Sequence, residues 1–344
     1  MKALQTFAPG IAEIVDLPDP LPGAGEIVVA MKAVGLCGSD VHDWYVASKT
    51  AKGPVVLGHE TAGEVALVGA GVVAFRPGDR VFVHHHTSCG RCRACLRGED
   101  VQCPEWKATR LDPGGLAERV RVDALTVARD TLKLPPSLGF DAGALVEPVA
   151  CGVKAVARGE IRQGDVVLVL GLGSNGILLG LLARQAGAAH LVGSDPDPKR
   201  RDFALAFGFD QVVDPSREGV AAAVREGRDA AGGADVVFVI PTGEEAVGSA
   251  IEAAGPAAHV VFYSPVAPGK LWSVEPSIPY FRDQTFRFSY SSGPSETRRA
   301  LELLEGGLVD VPRFVTHRLP LERAREGFAL AARGGAALKV LIEI

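Results

Sequence analysis

Residues 166–176 read VVLVLGLGSNG, an apolar β-type run that ends in a glycine-rich turn, and the Ala/Leu-rich stretch Ile177–Gln185 follows it. In a strand–turn–helix unit of this kind, the first glycine permits the tight turn and the second lets the backbone approach a pyrophosphate. The third lets helix and strand pack closely, and the first amides of the helix offer an anion site. The predicted dinucleotide-binding residues are Gly171, Gly173, Ser174, Asn175 and Gly176.

Asp195 ends the next predicted strand, nineteen residues after Gly176. A carboxylate at this position accepts hydrogen bonds from the adenosine ribose and repels a 2′-phosphate, which favours NAD over NADP. The alternative is a solvated loop aspartate in a fold that binds no phosphate. Arg200 and Arg201 lie close by in the sequence and leave room for NADP, and we include Arg200 among the predicted cofactor-binding residues.

The second half of the chain alternates strand and helix patterns, which is typical of a doubly wound α/β domain with a parallel sheet. We place this domain at residues 148–288. Helical stretches such as Ile177–Gln185 and Lys199–Phe207 lie between several candidate strands. Those strands are Val166–Leu170, Ala189–Ser194, Gln211–Val213, Asp235–Ile240 and His259–Tyr263.

The first half, residues 1–147, consists of short β-type runs broken by Gly and Pro, which predicts an antiparallel barrel-like or mixed domain. Its candidate strands are Glu26–Val34, Glu64–Val68, Asp79–Val83 and Leu116–Val122. The tail, residues 289–344, contains a helical pattern over Ser295–Leu304 followed by more strand. We expect this tail to return to the first domain.

The length and composition favour a folded protein of about two domains over a nucleic-acid or membrane binder. The chain has 344 residues, of which 47% are hydrophobic, and a formal net charge of −5. This length suits about two domains, and the acidic balance argues against a nucleic-acid or anionic-membrane binder. The opening residues, MKALQTFAPG, lack a signal-peptide pattern, and glycines interrupt the longest apolar segment, Val166–Ala183. We therefore expect a cytoplasmic protein that binds neither nucleic acid nor membrane.

Four cysteines lie within fifteen residues, with the spacing Cys89-x2-Cys92-x2-Cys95-x7-Cys103. Four thiolates on one loop can close a tetrahedral zinc site with no open position, which predicts a structural zinc loop over about residues 86–106. An iron–sulfur cluster is the alternative, because ferredoxin cysteine runs also end in Cys-Pro. Those runs have three residues before the last cysteine, whereas this one has seven.

A second set of metal-ligand residues is spread along the sequence. It comprises Cys37, the pair His59-Glu60, and Glu147. Cysteine, imidazole and carboxylate are the ligands expected of a catalytic zinc, which keeps one coordination position open for water or substrate. The sequence alone does not bring these residues together.

The segment Gly58-His59-Glu60-x2-Gly63-x5-Gly69-x2-Val72 resembles the signature of the zinc-containing medium-chain alcohol dehydrogenases. The four-cysteine spacing is similar to that family's structural zinc loop, and the glycine-rich turn stands where its coenzyme domain begins. Within the family, Cys37-Gly-Ser-Asp-Val-His42 and Glu147-Pro148 resemble the sorbitol (polyol) dehydrogenase branch. The resemblance covers nearly the whole chain.

The resemblance implies a GroES-like, mostly-β catalytic domain and a Rossmann coenzyme domain, with one catalytic and one structural zinc per chain. Cys37, His59 and Glu60 would be ligands of the catalytic zinc. Glu147 would be a further ligand, or would contact the water on the metal. Ser39 and His42 would relay the alcohol proton outward; their alternatives are a turn-capping serine and a surface histidine.

The resemblance also implies an NAD-dependent transfer of hydride from a polyol or related secondary alcohol, giving a ketone, by a homo-oligomer that is a tetramer or a dimer. His86 matches a position that lines the substrate pocket of threonine dehydrogenases. Arg287 matches an arginine near the active site of the polyol branch. The alternatives are a histidine run that caps a strand or binds adventitious metal, and for Arg287 an ion pair across the domain boundary.

Some residues depart from the polyol pattern. Lys154 stands where that branch often has histidine, and residues 263–269 and 289–294 do not resemble typical sorbitol dehydrogenases. A second hypothesis is therefore an L-threonine or simple secondary-alcohol dehydrogenase. A third, more remote one is a non-catalytic nucleotide-binding protein, against which the presence of Cys37, His59 and Ser39 argues.

Overall fold

The computed structural model describes residues 1–226 and 232–344. The chain divides into two compact units. The first comprises Met1–Ala150 and Ser292–Ile344, and the second comprises Cys151–Ser291. The boundaries expected from the sequence lie three residues earlier, with the first domain ending at 147 instead of 150 and the tail beginning at 289 instead of 292.

The regular elements have the following bounds. The strands are β1 (Lys2–Ala8), β2 (Ile11–Asp16), β3 (Ile27–Gly35), β4 (Val55–Val56), β5 (Glu60–Val68), β6 (Arg80–His84), β7 (Arg119–Val122), β8 (Thr131–Lys133), β9 (Val166–Leu170), β10 (His190–Ser194), β11 (Gln211–Val213), β12 (Ala234–Val239), β13 (Ala254–Phe262), β14 (Thr285–Phe288), β15 (Val315–Pro320) and β16 (Lys339–Glu343). The α-helices are α1 (Asp43–Thr50), α2 (Arg93–Leu96), α3 (Pro104–Ala108), α4 (Ala124–Arg129), α5 (Phe140–Ala144), α6 (Val146–Gly159), α7 (Ser174–Ala186), α8 (Pro198–Ala206), α9 (Val220–Arg225), α10 (Glu244–Ala253), α11 (Ser277–Phe281), α12 (Pro294–Glu305), α13 (Val311–Phe314) and α14 (Ala324–Arg333).

The first unit is built on a sheet in the order β15-β16-β3-β5-β6-β8, with β7 also paired to β3. The pairs are antiparallel except for β15 and β16, which run parallel. A smaller sheet has the order β2-β1-β4. Ile27, Val29 and Met31 on β3 belong to one buried apolar cluster, as the two-residue side-chain period of a strand requires. The prediction of a mixed β domain is confirmed.

The second unit contains a six-stranded parallel sheet in the order β11-β10-β9-β12-β13-β14. The strand order reverses between β9 and β12, which is the arrangement of a doubly wound dinucleotide-binding fold. Both central strands are fully buried at Leu168 and Phe238, each 0% exposed. This confirms the predicted α/β sheet. The sequence reading missed β14, because four residues with an arginine among them carry little periodic signal.

The glycine-rich turn between β9 and α7 is fixed by close backbone packing. Gly171 has a φ of +89°, a left-handed conformation that favours glycine. A Cβ atom added to Gly176 would lie 2.0 Å from the carbonyl oxygen of Gly171, so a side chain there collides with backbone. Gly173 instead faces open space, with no atom within 4 Å of an added Cβ.

A buried ion pair links two strands of the main sheet of the first unit. The Lys339 ammonium, on the first residue of β16, contacts the Glu60 carboxylate on the first residue of β5. The two side chains are 2% and 1% exposed. Lys339 Nζ also donates to the carbonyl oxygen of Leu36 at 3.1 Å. Such a pair is tolerated because each charge offsets the desolvation of the other.

Within residues 1–226 and 232–344, none of the helices combines the length and the apolar character that crossing a membrane requires.

Replacing Gly176 by alanine should destabilise the second unit by about 1–3 kcal/mol or more, because the new methyl group overlaps the Gly171 carbonyl. Gly173→Ala is the matched control, since its methyl group meets nothing within 4 Å. Thermal unfolding without nucleotide measures both. Equal unfolding temperatures for the two variants would contradict the packing argument.

Lys339→Met should lower the free energy of unfolding by about 3–5 kcal/mol, because it leaves Glu60 as a buried carboxylate without its cation. The double variant Lys339→Met/Glu60→Gln removes both charges and should recover much of the loss. Urea unfolding at neutral pH compares the three proteins. A single variant as stable as the double variant would show that the pair is unimportant.

Candidate active site and metal centres

Cys37, His59 and Glu60 meet in the first unit. One ligand atom from each of the three side chains lies within 4.8 Å of the other two. Cys37 follows β3, and His59-Glu60 stand at the start of β5, the strand that pairs with β3. The antiparallel register therefore brings together residues that are more than twenty positions apart in the sequence.

The donor set suits a zinc ion. A thiolate, an imidazole and a carboxylate are three ligands of the kind found at catalytic zinc sites. Glu60 Oε1 is buried and has no hydrogen-bond partner within the described residues, which leaves it available to a cation. Burial and the nearby Glu147 raise the pKa of Glu60, although Lys339 and His59 oppose that rise. The residues present therefore fit the metal.

Asp40 orients two members of this set. Its Oδ2 accepts a hydrogen bond from the backbone amide of Cys37 at 3.0 Å. Its Oδ1 lies 3.5 Å from Nδ1 of His59. Burial alone would lower the pKa of His59, but Asp40 and Cys37 outweigh it and raise that pKa well above its usual value. A carboxylate in this position fixes the ring orientation and leaves the other ring nitrogen for a metal.

Glu147 lies in a neighbouring group instead of within the Cys37 set. It is 5% exposed in the first turn of α6, and its carboxylate is within 4.8 Å of ligand atoms of His84 and His85. The predicted residues did not include these two histidines, although the run His84-His85-His86 was visible. Sheet pairing is the signal that would have found them, because His84 on β6 is the register partner of Glu60 on β5.

The four cysteines of the loop also converge. The Sγ atoms of Cys89, Cys92, Cys95 and Cys103 all lie within 4.8 Å of one another. Cys92 and Cys95 are 3.5 Å apart, and Cys89 and Cys95 are 4.0 Å apart. A tetrahedron with zinc–sulfur bonds of 2.3 Å has sulfur–sulfur edges of about 3.8 Å. The geometry therefore fits a four-thiolate metal site.

The environment of this cluster favours the thiolate form of two ligands. Backbone amides of Arg91 and Cys92 donate to Cys89 and lower its pKa to about 6. The amide of Cys95 lowers the pKa of Cys92 in the same way, whereas burial raises the pKa of Cys95 to about 12. Metal ions bind the deprotonated thiol, so binding here is coupled to release of protons.

The predicted dinucleotide-binding residues surround the carboxyl ends of β9 and β10 in the second unit. Asp195 is 3% exposed, and its Oδ2 accepts from the amide of Leu172 at 2.8 Å while its Oδ1 accepts from the amide of Asp197 at 2.9 Å. Arg200 Nη1 lies 3.5 Å from Asp195 Oδ2. Asp195 therefore braces the glycine-rich turn.

The start of α7 is suited to an anion. Gly173 is the N-cap residue of this helix and supplies no side-chain cap. Ser174, Asn175 and Gly176 follow as its first turn. Amides in the first turn of a helix lack intrahelical acceptors and carry the positive end of the helix dipole, so they bind phosphate groups.

Ser39 and His42 lie on the short turn after Cys37. Ser39 is half-buried within the 3₁₀ turn Gly38–Val41, and His42 is exposed at the N-cap of α1. The backbone amide of His42 donates to the carbonyl oxygen of Ser39 at 3.4 Å. Ser39 and His42 are thus neighbours on the turn that follows Cys37, and His42 is the more exposed of the two.

The two predicted substrate residues occupy different surroundings. His86 contacts the carbonyl oxygen of Thr109 through Nδ1, and its ring is tilted against the Trp106 ring with the centroids 4.4 Å apart. Burial lowers the pKa of His86 to about 4. Arg287 on β14 bonds to the carbonyl oxygen of Arg158 at 2.7 Å and to Glu160 at 2.6 Å. The ion pair of Arg287 lies inside the second unit, so the alternative of an ion pair across the domain boundary is wrong.

Two family models match the chain. The alcohol dehydrogenase GroES-like domain matches residues 23–136, and the zinc-binding dehydrogenase model matches residues 176–306. The fold predicted from the resemblance, a GroES-like domain with a Rossmann domain, is confirmed by these matches.

Similar proteins agree with this assignment over nearly their full length. An L-threonine 3-dehydrogenase of Pyrococcus horikoshii is 31% identical, over 97% of this chain and 96% of the relative. A sorbitol dehydrogenase of Homo sapiens is 32% identical, over 99% of this chain and 95% of the relative. Among solved structures, a protein described as a zinc-binding dehydrogenase from Sinorhizobium meliloti 1021, bound to NADP, is 29% identical with a TM-score of 0.87. The match covers 100% of this chain and 99% of the Sinorhizobium protein.

The motifs, the fold and the relatives lead to one family. The chain is an oxidoreductase that belongs to the zinc-containing medium-chain alcohol dehydrogenases, as the sequence predicted.

Proposed function

We propose that this enzyme oxidises a polyol or a related secondary alcohol to a ketone and passes the hydride to NAD. The observation that carries the proposal is the convergence of the Cys37, His59 and Glu60 ligand atoms within 4.8 Å, next to a turn that bears Ser39 and His42. The polyol assignment draws on the similarity to the human sorbitol dehydrogenase.

The residues of the first unit divide the work of the reaction. Cys37, His59 and Glu60 would hold the catalytic zinc, and Asp40 would position the imidazole of His59. Zinc, when bound, is a Lewis acid that lowers the pKa of the substrate hydroxyl. Ser39 accepts the hydroxyl proton and passes it to His42, which is exposed and releases it to water. Bound NAD would supply the acceptor for the hydride of the alcohol carbon, so that the alcohol, having lost a proton and a hydride, would become a ketone.

The proposed cofactors are NAD and two zinc ions per chain, one catalytic and one structural. The four-cysteine loop offers all of its ligands from one segment and leaves no open position, which favours a structural role. NAD is favoured because the buried Asp195 carboxylate would repel the 2′-phosphate of NADP. The Sinorhizobium relative binds NADP, and Arg200 near Asp195 is the feature that would favour that cofactor here.

Threonine is the second candidate substrate. The Pyrococcus L-threonine 3-dehydrogenase is nearly as similar as the sorbitol dehydrogenase, and His86 stands at a substrate-lining position by resemblance to threonine dehydrogenases. Contacts of His86 and Arg287 with substrate stay predictions, as does the role of Glu147. A simple secondary alcohol is the third candidate substrate. The remote alternative is a nucleotide-binding protein without catalytic activity.

The first experiment incubates the zinc-loaded enzyme with NAD and a panel of polyols, cyclitols, simple secondary alcohols and threonine. Formation of reduced nicotinamide is followed by absorbance. We expect turnover of a polyol or cyclitol. Turnover of threonine alone would replace the polyol proposal, and no turnover at all with metal bound would favour the non-catalytic alternative.

The resemblance implies a homo-oligomer, either a tetramer or a dimer. This oligomeric state stays a prediction, which light scattering after size-exclusion chromatography will test. The expected cytoplasmic location stays a prediction as well.

Cys37→Ala should reduce turnover by about a thousandfold or more, since a bound metal supplies several kcal/mol of charge stabilisation. Binding of NAD should change little, because the predicted nucleotide residues lie in the second unit. Steady-state kinetics and a fluorescence titration with NADH measure the two effects. Cys151→Ala is the control for removal of a cysteine and should keep its activity; unchanged turnover in Cys37→Ala would reject the metal assignment.

The enzyme should bind NAD at least about tenfold more tightly than NADP, a difference of about 1.4 kcal/mol. The physical reason is repulsion between the 2′-phosphate and Asp195. Isothermal titration with each oxidised cofactor measures the ratio. If NADP binds as tightly as NAD, and Arg200→Ala then weakens NADP selectively, the cofactor assignment must be reversed.

A further inference from the structure

Arg129, the last residue of α4, packs against the four-cysteine loop. A Cβ atom added to Gly90 would lie within 2.4 Å of three atoms of the Arg129 guanidinium, Nη1, Nη2 and Cζ. Gly90 directly follows Cys89 and has a φ of +70°, a left-handed conformation that favours glycine. The guanidinium therefore fills the space that a side chain at position 90 would need.

The guanidinium of Arg129 is a half-buried cation without a counter-ion of its own. Its Nε is buried and has no hydrogen-bond partner within the described residues. Across residues 1–226 and 232–344, no carboxylate forms an ion pair with Arg129. Removing a charge from water costs free energy unless an opposite charge lies nearby. The position of Arg129 is therefore explained best by negative charge on the loop that it covers.

The backbone at Arg129 is fixed from both ends of its helix. Asp123 caps the first turn of α4 through its side chain. At the other end, Arg298 Nη2 donates to the carbonyl oxygen of Arg129 at 2.7 Å, and Nη1 donates to the carbonyl oxygen of Pro294 at 2.8 Å. These bonds join the end of α4 to the start of α12. The Arg129 side chain thus extends from an anchored residue, which lowers the entropy lost when it is ordered against Gly90.

The loop acquires excess negative charge when it binds zinc. Metal binding removes the thiol protons, so four thiolates and one Zn²⁺ ion leave two net negative charges. Amides offset part of this charge: Gly90 donates to the thiol of Cys95, and Cys89 donates to Cys103 Sγ at 3.4 Å. Cys103 is 0% exposed, so water screens its charge little. A cation packed on Gly90 lies beside Cys89 and beside the amide that serves Cys95.

We propose that Arg129 is a positioning residue of the four-cysteine metal site, where its guanidinium offsets the negative charge of the metal–thiolate cluster, raises the affinity for zinc and slows release of the ion. The proposal rests on the structural zinc proposed above and assigns this role to a residue outside the loop. Three arginines of the loop itself, Arg91, Arg93 and Arg97, are exposed. Solvent and salt screen exposed charges, so each of them contributes less than Arg129.

The test measures metal affinity at the four-cysteine loop of the full chain. Every protein carries Cys37→Ala, so that the charge-transfer absorbance of bound cobalt reports the loop thiolates, and zinc is then titrated against cobalt and a chelator. Arg129→Met removes the charge and should weaken zinc binding by about tenfold or more. Arg129→Lys keeps the charge and should stay within about threefold of the parent. Arg93→Met is the matched control, because it removes an exposed charge from the loop itself, and should also stay within about threefold.

The outcomes separate this proposal from the one on which it rests. A parent protein without cobalt–thiolate absorbance would reject the structural metal and, with it, the role of Arg129. A parent that binds metal while Arg129→Met binds it equally well would overturn the role of Arg129 alone. Equal losses in Arg129→Met and Arg93→Met, or in Arg129→Met and Arg129→Lys, would also overturn it, because neither pattern follows from a charge at this one place.

A folding control accompanies the titration, since a half-buried arginine also contributes packing. Thermal unfolding of the metal-free proteins should give similar temperatures for Arg129→Met and the parent, whereas the zinc-loaded proteins should differ. If Arg129→Met does not fold, Arg129→Gln replaces it, because glutamine is neutral and keeps polar atoms for Gly90 and its surroundings. A folded Arg129→Gln that binds zinc as tightly as the parent would refute the proposal.

Discussion

The pairing of Lys339 with Glu60 is the constraint on which the first unit depends. It joins the last strand of the chain to the strand that begins the metal-ligand motif, and both charges are out of contact with water. Gly35 makes the pair possible, because a Cβ at this position would lie 1.9 Å from Glu60 Oε2. One oxygen of the Glu60 carboxylate therefore faces the Lys339 ammonium, and the other, Oε1, has no hydrogen-bond partner within the described residues.

Buried aspartates perform a related task at three places in the molecule. Asp40 links the Cys37 amide to His59, and Asp130 links Thr297 to His84. Asp195 links the amides of Leu172 and Asp197. In each case a carboxylate that is 6% exposed or less holds two separate pieces of backbone or side chain in register. Burial strengthens these hydrogen bonds, because the local dielectric constant is low. For the same reason, a buried carboxylate without partners would cost free energy.

Local sequence signals were sufficient for much of the fold and for part of the site. The run Val166–Leu170 is a strand with those bounds because it is apolar at every position, and Pro294–Glu305 is a helix close to the predicted Ser295–Leu304. The convergence of Cys37 with His59 and Glu60 was inferred from a resemblance, not from spacing. It depends on the pairing of β3 with β5, which no local pattern encodes.

Other features escaped prediction for the same reason. The group around His84 requires the register between β5 and β6, and the partner of Arg287 requires knowing that β14 pairs with β13. Short strands such as β14 contain too few residues for a periodic signal. Candidate metal ligands at fixed local spacing, as in the four-cysteine loop, are the opposite case, because their short separation in the sequence keeps them close in space.

The bracing of the glycine-rich turn has a consequence for the thermodynamics of cofactor binding. Asp195 holds the amide of Leu172, the amide of Gly171 donates to Ser194 at 2.8 Å, and Gly176 packs under the Gly171 carbonyl. The turn has thus lost its conformational freedom when the chain folds, before any dinucleotide arrives. Binding of a dinucleotide at this turn, as proposed above, would then lose little further conformational entropy in this segment, so little of the free energy of its amide–phosphate contacts would be offset.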